Sequence, residues 1–296
     1  MQTNLVTIIG AGPAGLAAAI QLRRFGITPL VLEGDEIGGL LRSANLVENY
    51  PGFPGGISGL DLIRLFERQA RDISVRVDFD LVLNLDFEGS TFLVETENAV
   101  YHSQIVVVAS GTKPRQFTDF EIPAEARDKV FYEVYPLLNV SGKRVAIVGA
   151  GDAAFDYALN LAKRNDVVIL NRGETLKCLP LLWKRSQLAC RIEYFHNTEI
   201  SKIEITPHGR LVLECVSPAG SSHFDVHYLI GALGRLPQMD FLSAQLRERA
   251  SELEERGLLY FIGDVKNGIF RQTSIAVGDG IRAAMQIYMQ AKENNL

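Results

Sequence analysis

The chain has 296 residues, of which 47% are hydrophobic and 22% are charged, and its formal net charge is -5. This composition is typical of a soluble globular protein of about two domains and excludes a disordered or fibrous chain. The acidic balance argues against nucleic-acid binding, and no apolar run approaches the ~20 residues of a membrane helix. The first strand begins almost at Met1, so we expect no signal peptide and a cytoplasmic protein.

The N-terminal region predicts a strand over residues 5–9, a glycine turn, a helix over residues 16–25 and a strand over residues 30–33. The turn reads Gly10-Ala11-Gly12-Pro13-Ala14-Gly15, which is a full dinucleotide-binding fingerprint. Its glycines allow a tight turn, close approach of a pyrophosphate and close packing of helix on strand, while the helix N-terminus supplies free N–H groups.

An acidic residue ends the second strand of this unit. Glu33 lies 23 residues after Gly10, where a carboxylate accepts hydrogen bonds from adenosine ribose hydroxyls. The first unit is therefore predicted to bind a dinucleotide.

The same device recurs in the middle of the chain. A strand over residues 145–148 leads into Gly149-Ala150-Gly151-Asp152-Ala153-Ala154, followed by a helix to Lys163 and a strand over residues 167–170. Ala154 replaces the third glycine, which is a permitted variant. A second nucleotide site is therefore predicted.

The residue after the second copy's last strand is not acidic. Asn171 stands where the first copy has Glu33, and Arg172 follows. The missing acid and the neighbouring arginine favour NADP, but Gly173 offers no second cation, so NAD stays open as the alternative.

Further motifs follow in an order that resembles the thioredoxin reductase family over nearly the whole chain. These motifs are Gly38-Gly39, VENYPGFP at 47–54, VVVASGT at 106–112, GALGRLP at 231–237, FIGD at 261–264, RQT at 271–273 and GDG at 278–280, which is expected to open a helix beginning near Ala276.

The resemblance implies an α/β fold with two Rossmann-like (three-layer ββα) dinucleotide-binding domains. Residues 1–115 and 233–296 would form a discontinuous FAD domain, with residues 116–232 inserted as the NAD(P) domain. The FAD site would comprise Gly10, Gly12, Pro13, Ala14, Gly15, Glu33, Gly39, Leu40, Asn49, Ala109, Gly111, Asp264, Gln272, Thr273 and Ala276. The NADPH or NADH site would comprise Gly149, Gly151, Asp152, Ala153, Asn171 and Arg172.

The resemblance breaks where thioredoxin reductases carry a CxxC pair. Counting back from Gly149 places Tyr132 and Tyr135 at those positions. A phenol cannot perform thiol–disulfide exchange, which requires a thiolate, so thioredoxin reduction by the family mechanism is not expected. Tyr132, Glu133 and Tyr135 are weak candidates for a catalytic role near the flavin, and no residue pattern indicates a metal site.

Three functions remain open from the sequence. The first is an FAD-dependent NAD(P)H oxidoreductase for a soluble one-electron carrier such as ferredoxin or flavodoxin, as in ferredoxin-NADP reductases of this type, which also lack CxxC. The second acts on a small molecule such as a quinone, oxygen or a low-molecular-weight disulfide. The third is a flavin-bound regulatory or structural dimer with an idle nicotinamide site. The resemblance also implies a homodimer.

Overall fold

The computed structural model describes residues 3–293 and contains two compact units. One unit comprises the chain up to Arg42, Val47–Lys113 and the chain from Leu236 onward, and the other comprises Ser43–Leu46 and Pro114–Arg235. The chain thus passes from one unit to the other between residues 113 and 114 and returns between residues 235 and 236. The sequence predicts these two domain boundaries at 115/116 and 232/233. The sequence did not indicate that Ser43–Leu46 packs with the inserted unit.

Strands and helices alternate, as two copies of one pattern predict. The first unit starts with β1 (Thr3–Ile9), α1 (Pro13–Arg24), β2 (Leu30–Glu33), α2 (Gly59–Asp72), β3 (Val77–Phe79), β4 (Val82–Glu88), β5 (Thr91–Thr96) and β6 (Val100–Val108). After β7 (Thr112–Pro114) come β8 (Val130–Phe131), β9 (Arg144–Val148), α3 (Asp152–Leu161), β10 (Asp166–Leu170), α4 (Pro180–Leu188), β11 (Ile192–Phe195), β12 (Glu199–Ile205), β13 (Leu211–Ser217), β14 (Gly220–Val226) and β15 (Tyr228–Gly231). The chain ends with β16 (Arg235–Pro237), α5 (Ala244–Glu255), β17 (Leu259–Phe261) and α6 (Thr273–Glu293), and β16 pairs with β7.

The first unit has three layers built on one long strand. The N-terminal half of β6 pairs antiparallel with β5, while its C-terminal half pairs in parallel with β1 and β17. Alternate residues of β6 therefore face opposite sides of the sheet. Val107 packs among residues of α1 and α6, whereas Val106 and Val108 pack among residues of β4, β5 and α5.

The second unit repeats this plan. Its parallel sheet has the order β11-β10-β9-β15-β8, and a separate antiparallel sheet has the order β12-β13-β14. Val145 and Ile147 of β9 pack with α3, and Ala146 between them packs with residues of β13 and β14. Both units thus have the predicted Rossmann-like α/β fold, and each turns the carboxyl ends of its parallel strands toward a glycine-rich turn.

Four predicted helix boundaries differ from the structure, one of them the end of α1, which lies at Arg24 and not at Phe25. Helix α1 begins at Pro13, not Leu16, because proline at the first helical position has the right φ and needs no hydrogen bond for its nitrogen. Helix α3 ends at Leu161, short of Lys163. Helix α6 begins at Thr273, not near Ala276, so Gly278-Asp279-Gly280 lies inside the helix and does not open it.

Within residues 3–293, no helix combines the length and apolarity needed to cross a lipid bilayer.

Candidate functional site

The glycine turn of the first unit is shaped by its neighbours. Gly10 has φ +104°, and a Cβ there would lie 2.5 Å from the Ala109 carbonyl oxygen. A Cβ on Gly15 would lie 1.9 Å from the Gly10 oxygen, whereas a Cβ on Gly12 would meet nothing within 4 Å. Gly10 and Gly15 are therefore required by packing, while Gly12 leaves open space at the N-terminus of α1.

The Glu33 carboxylate is fixed beside this turn. It accepts hydrogen bonds from the Ala11 N–H at 2.7 Å and the Asp35 N–H at 3.0 Å, one on each oxygen. Each oxygen has a second lone pair, so the carboxylate can also accept from a ligand hydroxyl.

The predicted double glycine lies along the same turn. The Gly38 N–H donates to the Ala11 carbonyl at 3.0 Å, and a Cβ on Gly39 would lie 3.7 Å from the Gly12 α-carbon. Leu40 follows in the 3-10 turn Gly39–Ser43. The structure therefore brings the two separate glycine motifs together.

The N-terminus of α6 holds the NYPGFP segment. Asn49 Nδ2 donates to Gln272 Oε1 at 2.7 Å, immediately before Thr273 begins the helix, and the Ser274 hydroxyl donates to the Asn49 carbonyl at 3.4 Å. Two site residues that are 223 positions apart are thus directly bonded.

The predicted closing motif of the FAD domain packs against the first glycine turn. Asp264 lies in the 3-10 turn Gly263–Val265, where Gly263 has φ +72°. A Cβ on Gly263 would lie 2.8 Å from the Ala14 Cβ and 3.6 Å from the Ala276 Cβ. This turn, α1 and α6 therefore meet at one place.

Asp279 is a structural residue that the sequence analysis did not single out. Its Oδ2 accepts from the Gly263 N–H at 3.2 Å and from Asn267 Nδ2 at 2.6 Å, which fixes the turn carrying Asp264. The acidic residue in the GDG motif could have indicated this role, but the motif had been assigned only to the start of a helix.

Two predicted residues lie at the end of β6. The Ala109 N–H donates to the Ile9 carbonyl at 2.8 Å, which keeps it next to the end of β1. Gly111 has φ +67°, and its carbonyl accepts from the Gln238 N–H at 3.0 Å. These bonds fix the chain where it leaves the sheet.

The second glycine turn repeats the first. Gly149 has φ +149°, and a Cβ there would lie 2.6 Å from the Ala232 carbonyl oxygen. A Cβ on Gly151 would meet nothing within 4 Å, so this turn also leaves open space before its helix. Ala154 is fully buried at the position of the third glycine, while Ala153 is exposed.

The first residue of α3 binds the chain's own backbone. The Asp152 carboxylate accepts from the Leu179 N–H at 2.7 Å, and the Lys177 N–H donates to the Ala150 carbonyl at 2.9 Å. The segment before α4 is thereby fastened to the second glycine turn. Trp183 of α4 packs edge-on against Phe155.

The end of β10 carries Asn171 and Arg172. Asn171 is buried and bonded both to Tyr194 of β11 and to its own loop, whereas Arg172 is exposed and forms an ion pair with Asp119 at 3.6 Å.

The candidate residues before β9 form two hydrogen-bonded groups. The Tyr132 hydroxyl accepts from the Phe117 N–H at 3.2 Å, and its ring lies over Gly231, where a Cβ would be 2.9 Å from Tyr132 Cδ1. Glu133 forms an ion pair with Arg235 and accepts a hydrogen bond from the Tyr157 hydroxyl at 2.9 Å.

Tyr157 is buried, which raises the pKa of its phenol, and the neighbouring Glu133 carboxylate raises it further. Tyr135 opens the 3-10 turn Tyr135–Leu137. The first group packs the chain before β9, and the second keeps a neutral phenol beside an ion pair.

The three cysteines lie apart. Cys215 is buried in β13, and burial raises the pKa of its thiol to about 11. Burial also raises the pKa of the half-buried Cys178, while Cys190 is exposed. Within residues 3–293, no group of three or more His, Cys, Asp or Glu side chains is placed to hold a metal ion.

Residues 5–280 match the model of the family described as pyridine nucleotide-disulphide oxidoreductase. The chain belongs to this family. Among its relatives, a thioredoxin reductase of Borreliella burgdorferi is 27% identical over 95% of this chain and 90% of the relative. The 34.2 kDa protein in rubredoxin operon of Clostridium pasteurianum is 29% identical over 96% of each chain. The crystal structure of T. acidophilum thioredoxin reductase superposes with a TM-score of 0.85 at 26% identity, covering 97% of this chain and 98% of that one.

Thioredoxin reductase members of the pyridine nucleotide-disulphide oxidoreductase family use FAD and NADPH, and this chain is likewise a flavoprotein oxidoreductase. The first unit fits FAD. Its open space at Gly12 adjoins a helix N-terminus, and Glu33 has acceptor capacity for a ribose. The second unit fits another dinucleotide at Gly151.

Proposed function

We propose that the protein passes electrons from NAD(P)H through FAD to an acceptor other than thioredoxin, namely a soluble one-electron carrier such as ferredoxin or flavodoxin. The main support is that Tyr132 and Tyr135, counted back from Gly149, stand at the two positions where the thioredoxin reductases carry their redox cysteines. Exchange with a protein disulfide requires a thiolate, which neither side chain supplies.

The remaining cysteines support the same conclusion. Cys215 is buried among core residues, and the pKa of about 11 leaves its thiol protonated at neutral pH. Cys178 and Cys190 lie on opposite sides of α4 in the chain, with eleven residues between them. None of these positions resembles a redox pair.

Bound FAD would supply the ability to accept a hydride and release single electrons. Gly12 and the N-terminus of α1 would bind its pyrophosphate, and Glu33 its adenosine ribose. Asp264, Gln272 and the N-terminus of α6 would hold the ribityl and ring end, where the helix dipole favours negative charge. The other residues assigned to this site are Gly10, Pro13, Ala14, Gly15, Gly39, Leu40, Asn49, Ala109, Gly111, Thr273 and Ala276.

The second unit would hold the nicotinamide nucleotide. Gly149 and Gly151 would let its pyrophosphate approach the N-terminus of α3. Asp152 would act by fixing the 177–179 backbone, to which it is bonded. Hydride transfer between nicotinamide and flavin needs no general base, so Tyr132, Glu133 and Tyr135 are assigned no proton-transfer step.

A carrier protein as acceptor is also supported by one relative. The C. pasteurianum protein is named for its place in a rubredoxin operon, which fits a redox partner other than thioredoxin. On family resemblance we further propose a cytoplasmic homodimer.

The test is anaerobic stopped-flow absorbance of the purified flavoprotein. Mixing with NADPH or NADH should bleach the flavin band, and oxidised ferredoxin or flavodoxin should restore it, whereas thioredoxin should not. The triple variant Cys178→Ala, Cys190→Ala, Cys215→Ala should behave in the same way. Thioredoxin reduction that disappears in the triple variant would overturn the proposal, and recovery by quinones alone would favour a small-molecule acceptor.

A further inference from the structure

The ribose end of the second nucleotide site lacks an acceptor at the usual position. Asn171 is only 6% exposed, and its side chain is bonded to β11 and to its own loop. Its Nδ2 donates to the Tyr194 hydroxyl at 2.9 Å and to the Thr175 carbonyl at 3.3 Å, while its Oδ1 accepts from the Gly173 N–H at 3.0 Å. Both donor hydrogens are used and the side chain is almost entirely buried, so Asn171 shapes the loop and does not replace the carboxylate that the partly exposed Glu33 supplies in the first unit.

The cation that follows is already faced by a carboxylate. Arg172 NH1 lies 3.6 Å from Asp119 Oδ2, and the two side chains are 73% and 59% exposed. Gly173 contributes no charge, and the next residue, Glu174, is acidic and exposed. Lys177, also exposed, is the next cation along this loop, and its N–H donates to the Ala150 carbonyl of the glycine turn at 2.9 Å. A ligand beside Arg172 therefore meets carboxylates as well as cations.

Asp119 is held at the nucleotide-binding edge of the sheet. The rings of its neighbours Phe117 and Phe120 contact each other in a tilted arrangement, with centroids 4.9 Å apart, and both pack on the core of the second unit. The Phe117 ring lies over Gly231, the last residue of β15, which pairs with Val148 at the end of β9. Dinucleotides bind at the carboxyl ends of such strands, so the loop presents Asp119 on the side where the nucleotide is expected.

We propose that Asp119 is the residue that sets nucleotide specificity, accepting hydrogen bonds from the adenosine ribose and repelling a 2′-phosphate, so that NADH is used in preference to NADPH. A carboxylate that binds ribose hydroxyls is the usual device for NAD, and here it comes from a different loop. A 2′-phosphate brings ~1.5 to 2 negative charges, as phosphate monoesters do near neutral pH. This reverses the preference for NADP that Arg172 alone indicates, and it rests on the proposed nucleotide site of the second unit.

The test is calorimetric titration of the flavin-loaded protein with 5′-AMP and with adenosine 2′,5′-bisphosphate. The wild type should bind 5′-AMP at least as tightly as the bisphosphate. Asp119→Asn should shift the affinity ratio toward the bisphosphate by about tenfold, the order expected when one charge is removed a few ångström from a phosphate at a surface. Arg172→Ala should shift the ratio in the opposite direction.

Glu193→Gln is the matched control. Glu193 is also 59% exposed and paired with an arginine, Arg144 at 3.4 Å, but this pair lies near the amino ends of the strands. The control should leave the ratio unchanged. A wild type that prefers the bisphosphate, with a shift below twofold in Asp119→Asn, would overturn the proposal, as would an equal shift in Glu193→Gln. Failure of electron transfer to carriers would instead refute the proposed function and leave this ratio unaffected.

Discussion

Replacing Gly280 by alanine should separate α1 from α6. Gly280 is buried inside α6, and a Cβ there would lie 2.2 Å from the Ala14 carbonyl oxygen and 2.9 Å from the Ala18 nitrogen. Ordinary contacts begin at 3.4 Å, and both obstructing atoms belong to the backbone of α1. The two helices would therefore have to move apart by about 1 Å, which weakens dispersion contacts along their whole interface.

The expected cost follows from two opposing terms. Overpacking of this kind costs ~1–3 kcal/mol, and more where backbone must move. Alanine recovers ~1 kcal/mol over glycine in a helix interior. Gly278→Ala is the matched control, because Gly278 lies in the same helix, is exposed and has nothing within 4 Å of its would-be Cβ. It gains the same propensity term without the overpacking, so the two variants should differ by the overpacking cost, about 1–3 kcal/mol in the free energy of unfolding.

The assay is urea denaturation of both variants, together with the flavin content of each purified protein. Gly280→Ala should be less stable than wild type and should lose flavin, since α6 carries its N-terminus and Ala276 against the FAD motifs. Gly278→Ala should be at least as stable as wild type and keep its flavin. Equal stability of the two variants would refute the proposed close contact between α1 and α6.

Three further predictions separate the two nucleotide sites and test one partly buried acid. Gly12→Ala and Gly151→Ala should both fold, since neither Cβ meets an atom within 4 Å. Gly12→Ala should lose FAD, whereas Gly151→Ala should keep FAD and lose reduction by NAD(P)H. The reverse pattern would contradict the assignment of FAD to the first unit and NAD(P)H to the second. Glu33→Gln should weaken FAD binding by about 10- to 100-fold, because loss of a charged acceptor costs ~1.5–3 kcal/mol. Flavin release on desalting measures this loss. Asp156 accepts a hydrogen bond from the Asn45 N–H at 2.9 Å, and burial raises the pKa of its carboxyl to about 6. The folded state therefore favours the protonated carboxyl. Ionisation of this group lowers the free energy of unfolding as the pH rises from about 4 to about 6. The free energy of unfolding of Asp156→Asn, measured in urea, should therefore exceed that of wild type by about 2–3 kcal/mol at pH 8 and by nothing below pH 4. An equal gain at both pH values would show that the raised pKa of Asp156 is not its cause.

The sequence was sufficient for the fold because each prediction rested on local patterns that agreed with one another. The strand at residues 30–33 was predicted with the observed bounds of β2, since a turn precedes it and an acid ends it. The family, the α/β class and the flavin cofactor are confirmed by the comparisons. Two complete glycine fingerprints carried most of that inference.

Contacts between distant residues could not be predicted in the same way. The GDG motif was expected to open a helix, but it lies inside α6, where the close packing of Gly280 on Ala14 outweighs the low helix propensity of glycine. No sequence motif indicated a role for Asp119, because its proposed role depends on its contact with Arg172, which is 53 residues further along the chain. Asp279 was hidden for the same reason, since its partners precede the helix it belongs to.

The packing of Tyr132 has a consequence for protein engineering. Its ring fills the space left by the missing side chain of Gly231, and its hydroxyl accepts the Phe117 N–H. Replacing Tyr132 by cysteine would open a cavity and leave that donor without its acceptor, at a cost of ~1–3 kcal/mol for the donor alone. Introducing a CxxC pair by substituting Tyr132 and Tyr135 alone would therefore lower the stability of the protein. Installing disulfide chemistry in this scaffold requires repacking positions 117 and 231 as well.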